Sequence, residues 1–436
     1  MTFDPAAEAE RVTTDILADF ASGRHLGVVV DSPPGAGKST LVVRTAVSLA
    51  AAGERLMIVA QTNEQVDDLT CNLSAKLPAG LVIGRLTGSG HGVPQRLAGL
   101  PNVLVDEKAG NLVSCEITIA TAAKWAFVKD TVWPWAIVDE AYQMRSDTLL
   151  ALAARFERAL FVGDPGQLDP FSVVQNDRWR GLTWDPMQSA VAGLLRSNPT
   201  LPVHRLPVSW RLPASAEQVV ASAFYPYTGF RTGTGPGDRE LSFDTRAFGR
   251  TPVDAVLAEA ATSGWGFLEL PARHTMRTDA EAVAAVADIT RRFLDRGTVA
   301  RSGDSSRPVT PDRIAVGAAH RDQVAALRTA LADLPDVTVD TANRLQGREY
   351  DVTVVLHPLS GRRDATAFHL EAGRLCVLTS RHRQACVVVG RAGIRELLDT
   401  HPSAEPVHLH EPVKFPDGWA ANQTVMGHLE AHSIAA

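Results

Sequence analysis

Residues 26–40 read LGVVVDSPPGAGKST, a short apolar run followed by a loop that is rich in proline and glycine. An apolar run of this length is typical of a strand that is buried on both faces of a parallel sheet. The residues after the loop, STLVVRTAVSLAAAG (39–53), have the spacing of apolar side chains that favours a helix. The stretch therefore predicts a strand, a loop and a helix in succession, which is the first unit of an α/β fold.

Further apolar runs in the first half of the chain have the same form as residues 26–31. They are RLMIVAQ (55–61), GLVIGRL (80–86), EITIAT (116–121), WAIVDE (135–140) and RALFVGD (158–164). Helical patterns such as NEQVDDLTCNLSAKL (63–77) lie between them. Repeated strand–helix–strand units predict a doubly wound parallel sheet.

The same alternation restarts after about residue 198. Strand candidates are PVHRLPV (202–208), DRIAVGA (312–318), VTVDT (337–341), YDVTVVLH (350–357) and ACVVVG (385–390), and the clearest helix is 279–297. We therefore predict two tandem RecA-like lobes, each a doubly wound parallel sheet, with domain ranges 1–198 and 199–436. The proline-rich segment 198–207 is predicted to be a hinge, and residues 228–240 and 299–311 are predicted to be surface loops.

Composition and charge exclude several classes of protein. The 436 residues are 45% hydrophobic and 21% charged, as in globular proteins and unlike disordered ones. No apolar run has the length of a membrane span and the acidic start is unlike a signal peptide, so we expect a cytoplasmic protein with no membrane partner. The four cysteines lack the C-x-x-C spacing of zinc sites. The net charge of −6 gives no overall basic field, which still permits a local basic channel for nucleic acid.

The loop SPPGAGKST (32–40) is close to the pattern G-x-x-x-x-G-K-[ST], with serine in place of the first glycine. Such a loop directs backbone N–H groups at phosphate oxygens at the start of a helix. Lys38 is expected to reach the β and γ phosphates and Ser39 to ligate Mg²⁺. The alternative is a proline–glycine turn that happens to precede Gly-Lys-Ser. The predicted nucleotide-binding residues are Gly35, Ala36, Gly37, Lys38, Ser39 and Thr40.

The apolar run WAIVDEA (135–141) ends in two acids. Asp139 is expected to hold Mg²⁺ through water, and Glu140 to polarise the water that attacks the γ-phosphate. The alternative is that both acids are a solvated strand end, but the apolar residues before them favour a role in catalysis. The loop and the acids together predict a nucleotide-binding site that uses Mg²⁺ for phosphoryl transfer.

A set of motifs in a fixed order resembles the superfamily 1 helicases. The motifs are SPPGAGKST, DEAYQ (139–143), GDPGQLDP (163–170), WRLP (210–213), LQGREYD (345–351) and VLTSRHR (377–383). The most similar branch is group B, which includes the nonsense-mediated-decay helicase. The resemblance covers roughly residues 10–395 and implies an AAA-type P-loop NTPase core that binds ATP in the cleft between its two lobes.

The resemblance also implies roles for individual residues. Gln167 corresponds to the glutamine that senses the γ-phosphate, and Arg211 and Arg381 correspond to arginine fingers of the second lobe. A loose phosphoryl-transfer transition state gains most from cations that arrive after closure. Trp210 corresponds to an aromatic residue that stacks on adenine, although a core tryptophan is the alternative. Further nucleotide contacts are expected from Gly347 and Glu349.

Four polar residues resemble the family's contacts with the backbone of a single strand. They are Thr62 and Asn63 in segment 60–69, Thr121 in segment 118–126 and Thr341 in segment 340–347. Hydroxyls and amides that bind phosphate oxygens grip a strand independently of its sequence. Each of these residues is also common in an ordinary loop.

The expected function is an ATP-dependent translocase or helicase that acts as a monomer on single-stranded DNA or RNA in the 5′ to 3′ direction. Two alternatives remain open: a nucleic-acid-stimulated ATPase that remodels protein–nucleic acid complexes, and a slow nucleotide-dependent binding switch. Glu10 stands near the position of the glutamine that reads adenine in the family. This leaves open whether the chain prefers ATP or GTP. The family's insertions are largely missing, so a minimal core with weak strand separation is expected.

Overall fold

Two parallel sheets organise the chain, and each belongs to a separate unit. The computed structural model describes residues 3–90, 92–168, 170, 184–245, 251–276, 278–403 and 417–436. The first unit comprises Met1–Ser32, Ala36–Pro165 and Asp169–Pro207, and the second comprises Pro33–Gly35, Gly166–Leu168 and Val208–Ala436. The domain ranges 1–198 and 199–436 stay a prediction.

The first unit is built around a parallel sheet of eight strands in its described residues. The strands are β1 (Gly27–Asp31), β2 (Leu56–Ala60), β3 (Ile83–Leu86), β4 (Val103–Asp106), β5 (Ile117–Thr121), β6 (Trp133–Asp139), β7 (Phe156–Gly163) and β8 (Val203–Arg205). Their order across the sheet is β4-β3-β5-β2-β6-β7-β1-β8. Strands β1 and β2 are buried along their whole length, which explains why they lack polar alternation.

Helices of the first unit pack against this sheet through apolar faces. They are α1 (Pro5–Ala21), α2 (Lys38–Ala51), α3 (Asn63–Ser74), α4 (Ala122–Trp125), α5 (Ser146–Leu152) and α6 (Ala190–Ser197). Phe20 of α1 makes an edge-on contact with Trp135 at 5.0 Å between ring centroids. This contact holds α1 against the sheet in which β1 leads into the predicted phosphate loop.

The second unit contains a parallel sheet of six strands among the described residues, in the order β16-β15-β17-β18-β12-β19. Those strands are β12 (Trp265–Leu270), β15 (Ile314–Ala318), β16 (Thr338–Thr341), β17 (Tyr350–Leu356), β18 (His382–Arg391) and β19 (Ser433–Ala435). Smaller strands form an antiparallel sheet, β11 (Arg239–Phe243), β13 (Thr298–Ser302) and β14 (Ser305–Pro308), and a parallel pair, β9 (Val208–Ser209) and β10 (Arg231–Thr232).

The helices of the second unit pack against its sheet and share the buried core with the strands. They are α7 (Ala214–Phe224), α8 (Pro252–Ser263), α9 (Ala280–Asp295), α10 (Arg321–Ala330), α11 (Ala342–Leu345), α12 (Ala367–Leu370), α13 (Ala372–Thr379), α14 (Ile394–Thr400) and α15 (Gly418–Glu430). The prediction of an α/β fold with two RecA-like lobes is confirmed by these two large parallel sheets.

One local prediction is wrong. Residues 299–311 are not a surface loop, because β13 and β14 form a hairpin in which Ser302 pairs with Ser305. Gly303 has φ 57° in the intervening two-residue turn, the conformation that such hairpins require. The hinge 198–207 stays a prediction: the segment contains β8, which pairs with β1, and the first unit ends at Pro207. No helix in the described part of the chain is long and apolar enough to cross a bilayer.

Candidate active site

The predicted phosphate loop connects β1 to α2, and two glycines determine its shape. Gly35 has φ 72° and Gly37 has φ 86°, a left-handed backbone that glycine adopts at no steric cost. A Cβ atom on Gly35 would also lie only 2.3 Å from Cβ of Arg211. Helix α2 begins at Lys38, so its first N–H groups have no partner within the helix and can bind an anion. Ser39 and Thr40 are exposed on this first turn.

Lys38 lies against the two acids at the end of β6. Its Nζ is 3.4 Å from Asp139 Oδ1 and contacts Glu140 Oε1. Both carboxyl groups are buried, at 5% exposure for each residue. Burial alone would lower the pKa of Lys38, but the two carboxylates raise it above its usual value. Burial raises the pKa of Asp139, and the nearby ammonium opposes that rise.

Glu140 is held in a strained backbone conformation. Its φ of 53° is the one positive value among the non-glycine residues that the structure describes. Such a conformation costs about 1–3 kcal/mol and is most common at functional sites. Gln143 Nε2 donates a hydrogen bond of 2.8 Å to Glu140 Oε2. The carboxylate therefore has Lys38 on one oxygen and Gln143 on the other.

A buried hydrogen bond joins the segment that contains these acids to the strand before the phosphate loop. Tyr142 Oη donates to Asp31 Oδ1 at 2.5 Å, and Asp31 is the last residue of β1. A Cβ on Gly163, the last residue of β7, would lie 2.9 Å from the Tyr142 ring, so a larger residue here would displace that ring. Sequence analysis gave no role to Tyr142 or Gln143. The feature that could have indicated the Tyr142 contact was Asp31, the acid at the end of the apolar run 26–31.

The residues beside Lys38 fit a magnesium ion. Ser39 and Asp139 supply a hydroxyl and a carboxylate, the hard oxygen ligands that Mg²⁺ prefers. Asp139 is buried and needs a cation as partner, whether the Lys38 ammonium or a metal ion. No group of three or more His, Cys, Asp or Glu residues suited to a metal occurs in the described ranges. When bound, Mg²⁺ would neutralise charge on the phosphate oxygens.

In the second unit, Arg211 and Glu349 contact each other. Arg211 Nε is 3.1 Å from Glu349 Oε2, and Arg383 Nη1 is 2.6 Å from Glu349 Oε1. Burial alone would raise the pKa of Glu349, but the two guanidinium groups lower it. A predicted finger and a predicted nucleotide contact thus form one ion pair. Sequence analysis missed Arg383, although it stands in the motif VLTSRHR.

Arg381 and Gln167 also belong to the second unit. Arg381 is 1% exposed, its Nη2 donates to Ser380 Oγ at 2.9 Å, and no described carboxylate forms an ion pair with it. Gln167 is half-buried, and its backbone lies so close to Gly373 that a Cβ there would approach its carbonyl to 2.5 Å.

Trp210 keeps a substantial part of its surface open. The residue is 40% exposed, and one side of its indole lies over Gly233, where a Cβ would approach the ring to 2.5 Å. Arg239 Nη2 donates to the Trp210 carbonyl oxygen at 3.2 Å. An exposed, supported indole can stack on a base, and it differs from the buried core tryptophan that was the alternative. Gly347 is exposed, with φ 80°.

The threonines predicted to bind nucleic acid each stand between a strand and the helix that follows it. Thr62 Oγ1 accepts from the N–H of Gln65, and Thr121 Oγ1 accepts from the N–H of Lys124 at 3.3 Å. Both hydroxyls act as N-caps with a lone pair, which leaves their protons able to reach an acceptor. Thr341 occupies the same position before α11 without a side-chain cap.

Asn63 has a structural partner in the first unit. Its Oδ1 accepts a hydrogen bond of 2.9 Å from Arg85 Nη2, and Arg85 also pairs with the buried Asp67. The Asn63 side chain would therefore have to keep or exchange this bond to contact a strand. Sequence analysis did not identify Arg85, because an arginine within an apolar strand gives no indication of its partner.

Two family models match parts of the chain. One family model described as an AAA domain matches residues 14–183, and a second with the same description matches residues 268–393. No curated protein matches the chain.

Several solved structures are similar to the chain at low identity. The arterivirus nonstructural protein 10 (helicase) is 15% identical with a TM-score of 0.45, over 88% of this chain and 61% of that one. The structure of its complex with DNA is 15% identical with a TM-score of 0.45, over 90% of this chain and 65% of that one. The PRRSV helicase is 14% identical with a TM-score of 0.41, over 92% of this chain and 60% of that one. The chain thus spans less than two thirds of the length of each of these proteins.

Proposed function

We propose that the chain is an ATP-driven translocase or helicase acting on single-stranded nucleic acid, since two models described as AAA domains match it and its motifs resemble those of superfamily 1 helicases. Hydrolysis of nucleoside triphosphate is the general activity of this class. The preference for ATP, the use of Mg²⁺, the group B assignment and the 5′ to 3′ direction are our further proposals. A monomeric state and a cytoplasmic location remain predictions.

The contact of Lys38 with Asp139 and Glu140 carries this proposal. A lysine at the start of a helix, beside two buried acids at a strand end, is the arrangement that phosphoryl transfer requires. Lys38 would exchange the carboxylates for the β and γ phosphates. Glu140, positioned by Gln143, would orient the attacking water and accept its proton.

Transition-state stabilisation is assigned to the second unit. We propose that Arg211 and Arg381 act on the γ-phosphate as arginine fingers when the two lobes close on ATP, with Gln167 sensing the same phosphate. Trp210 would stack on the adenine, and its 40% exposure supports this role. Gly347 and Glu349 would complete the nucleotide contacts.

Backbone contacts are assigned to strand ends in both units. Thr62, Thr121 and Thr341 each precede a helix, where hydroxyl and N–H donors can bind phosphate oxygens. Binding through these residues would depend little on base sequence, because they contact the strand's backbone.

The test measures the rate of ATP hydrolysis with no nucleic acid, with single-stranded DNA and with single-stranded RNA. Displacement of a short duplex is followed in parallel, and Lys38→Ala is the inactive control. Stimulated hydrolysis with ATP-dependent displacement supports the proposal. Stimulation without displacement would instead identify a remodelling ATPase, and slow hydrolysis that nucleic acid does not change would identify a binding switch.

A further inference from the structure

The side chain of Tyr142 joins two strands that are not neighbours in the first sheet. Tyr142 lies in the short turn Ala141–Gln143 that follows β6, and its Oη donates a hydrogen bond of 2.5 Å to Oδ1 of Asp31 at the end of β1. Strand β7 lies between β6 and β1. Neighbouring strands are about 4.8 Å apart, so the contact has to cross two strand spacings and needs a long side chain.

Gly163 leaves room for this long contact. It is the last residue of β7 and pairs with Asp31 in the parallel register. A Cβ atom on Gly163 would lie 2.9 Å from the Tyr142 ring, so the ring lies against the bare backbone of β7. The end of the middle strand is thus shaped to let Tyr142 reach the strand beyond it.

The hydrogen bond is buried and involves a charged group. Tyr142 and Asp31 are both buried. Burial and the nearby Asp31 carboxylate raise the pKa of Tyr142 well above its usual value, so the phenol stays protonated and acts as the donor. A hydrogen bond to a carboxylate is roughly twice as strong as one between neutral groups. The bond is therefore well suited to hold the turn after β6 in a fixed position relative to β1.

The two ends of this bond adjoin the two halves of the candidate active site. On one side, Glu140 precedes the turn with its left-handed backbone, and Gln143 at the end of the turn donates to Glu140 Oε2 at 2.8 Å. On the other side, Asp31 is followed directly by the phosphate loop, residues 32–40. A shift of the turn relative to β1 would therefore change the distance between Glu140 and a phosphate bound in that loop.

We propose that Tyr142 is a positioning residue for hydrolysis, whose hydrogen bond to Asp31 sets the distance between Glu140 and the phosphate loop. The inference rests on the proposed function and gives a role to two residues that the motifs leave without one. A general base must lie within hydrogen-bond reach of the water that it activates. A misplacement of about 1 Å can cost on the order of 10²-fold in rate. Tyr142 would thus act on kcat, while ATP binding would depend on the loop and Lys38.

The test is Tyr142→Phe, which removes the hydroxyl and keeps the ring against Gly163. We expect kcat for ATP hydrolysis to fall by on the order of tenfold, because Glu140 is then less precisely placed. The Kd for a fluorescent ATP analogue should not change. Tyr225→Phe is the matched control, since it removes the hydroxyl of another buried tyrosine, and it should hydrolyse ATP like the wild type. The midpoints of thermal unfolding identify any variant that is not folded in the assay.

Variants of Asp31 test whether the hydroxyl acts through this bond. Asp31→Asn keeps an oxygen that can accept from Tyr142 and should retain most of the turnover. Asp31→Leu removes the acceptor and should lose about as much turnover as Tyr142→Phe. The double variant Tyr142→Phe/Asp31→Leu should turn over no more slowly than Tyr142→Phe alone, because both changes remove the same bond.

The outcomes separate this inference from the proposed function. Wild-type kcat in Tyr142→Phe would overturn the inference and leave the proposed function standing. A matching loss of ATP binding would also overturn it, because Tyr142 would then support the fold of the site rather than the placement of the base. Additive losses in the double variant would mean that Tyr142 and Asp31 act separately, which contradicts the proposal. If the wild type hydrolysed no ATP, the proposed function and the inference would both fail.

Discussion

Replacement of Glu140 by glutamine tests the assignment of hydrolysis to the end of β6. One oxygen of this carboxylate contacts Lys38, and the other accepts a hydrogen bond of 2.8 Å from Gln143. Glutamine has the same shape, but its amide has one accepting oxygen where the carboxylate has two. The variant can therefore keep one of these two contacts, and it loses the negative charge that accepts a proton from water.

We expect kcat of Glu140→Gln to fall by on the order of 10²-fold or more, as the loss of a general base does. A change of that size corresponds to about 2.7 kcal/mol or more in the activation free energy. The Kd for ATP should change little, because the phosphate loop and Lys38 remain. Phosphate release at saturating ATP and single-stranded nucleic acid measures kcat, and titration with a fluorescent ATP analogue measures Kd.

Asp147→Asn is the matched control, since it makes the same change of carboxylate to amide in the adjacent helix α5. Its side chain is 33% exposed and pairs with Arg145. This variant should hydrolyse ATP like the wild type. Wild-type turnover by Glu140→Gln would refute the assignment. An equal fall in Asp147→Asn would mean that the loss comes from general damage to the segment.

Four other results are expected. Lys38→Ala should abolish hydrolysis and weaken nucleotide binding, because the phosphates lose their nearest ammonium; unchanged turnover would contradict this. Glu140→Gly should be more stable in denaturant unfolding than Glu140→Ala by about 1 kcal/mol or more, since glycine adopts a positive φ without steric cost and alanine does not; equal midpoints would mean that the strain is absent. Arg211→Ala and Arg381→Ala should lower kcat far more than they raise the Kd for ATP, because the proposed contact forms on closure; a loss of binding alone would contradict it. A partial duplex with a 5′ single-stranded tail should be displaced in preference to one with a 3′ tail, and the reverse preference would overturn the group B assignment.

Central strands could be predicted from sequence because burial on both faces leaves only apolar residues in them. β1 and β2 are the clearest cases, and both are buried throughout. Edge strands carry a weaker signal. β4 has four residues and none of them is buried, and β19 has three residues, so their pairing depends on neighbours that a local pattern does not contain.

Part of the site could be predicted for a similar reason. The phosphate loop follows β1 and the two acids end β6, and in a parallel sheet these ends meet at one edge. The approach of Lys38 to Asp139 therefore follows from the fold. The bond between Tyr142 and Asp31 does not, because it depends on a local turn after β6 in which Glu140 takes a left-handed conformation.

The contact between Arg211 and Glu349 was beyond prediction from sequence, since its members come from separate segments of the second unit. The ion pair would hold Arg211, the proposed arginine finger, on Glu349 before ATP binds. In the proposed mechanism Arg211 would move from Glu349 to a phosphate, and a carboxylate left without a cation would resist that exchange. Arg383 removes the difficulty, because it holds the other oxygen of Glu349 at 2.6 Å and would remain after Arg211 departs.

The first unit has the same arrangement around a different cation. Lys38 rests on Glu140, and Gln143 holds the second oxygen of that carboxylate at 2.8 Å. If Lys38 moves to a phosphate as proposed, Glu140 would keep the Gln143 donor that fixes its orientation, and its other oxygen would be released. Binding of the phosphate would then itself uncover the base that hydrolysis needs. In both units a cation contacts a carboxylate that a second donor also holds, so in the proposed mechanism each cation would exchange one anion for another without losing a partner.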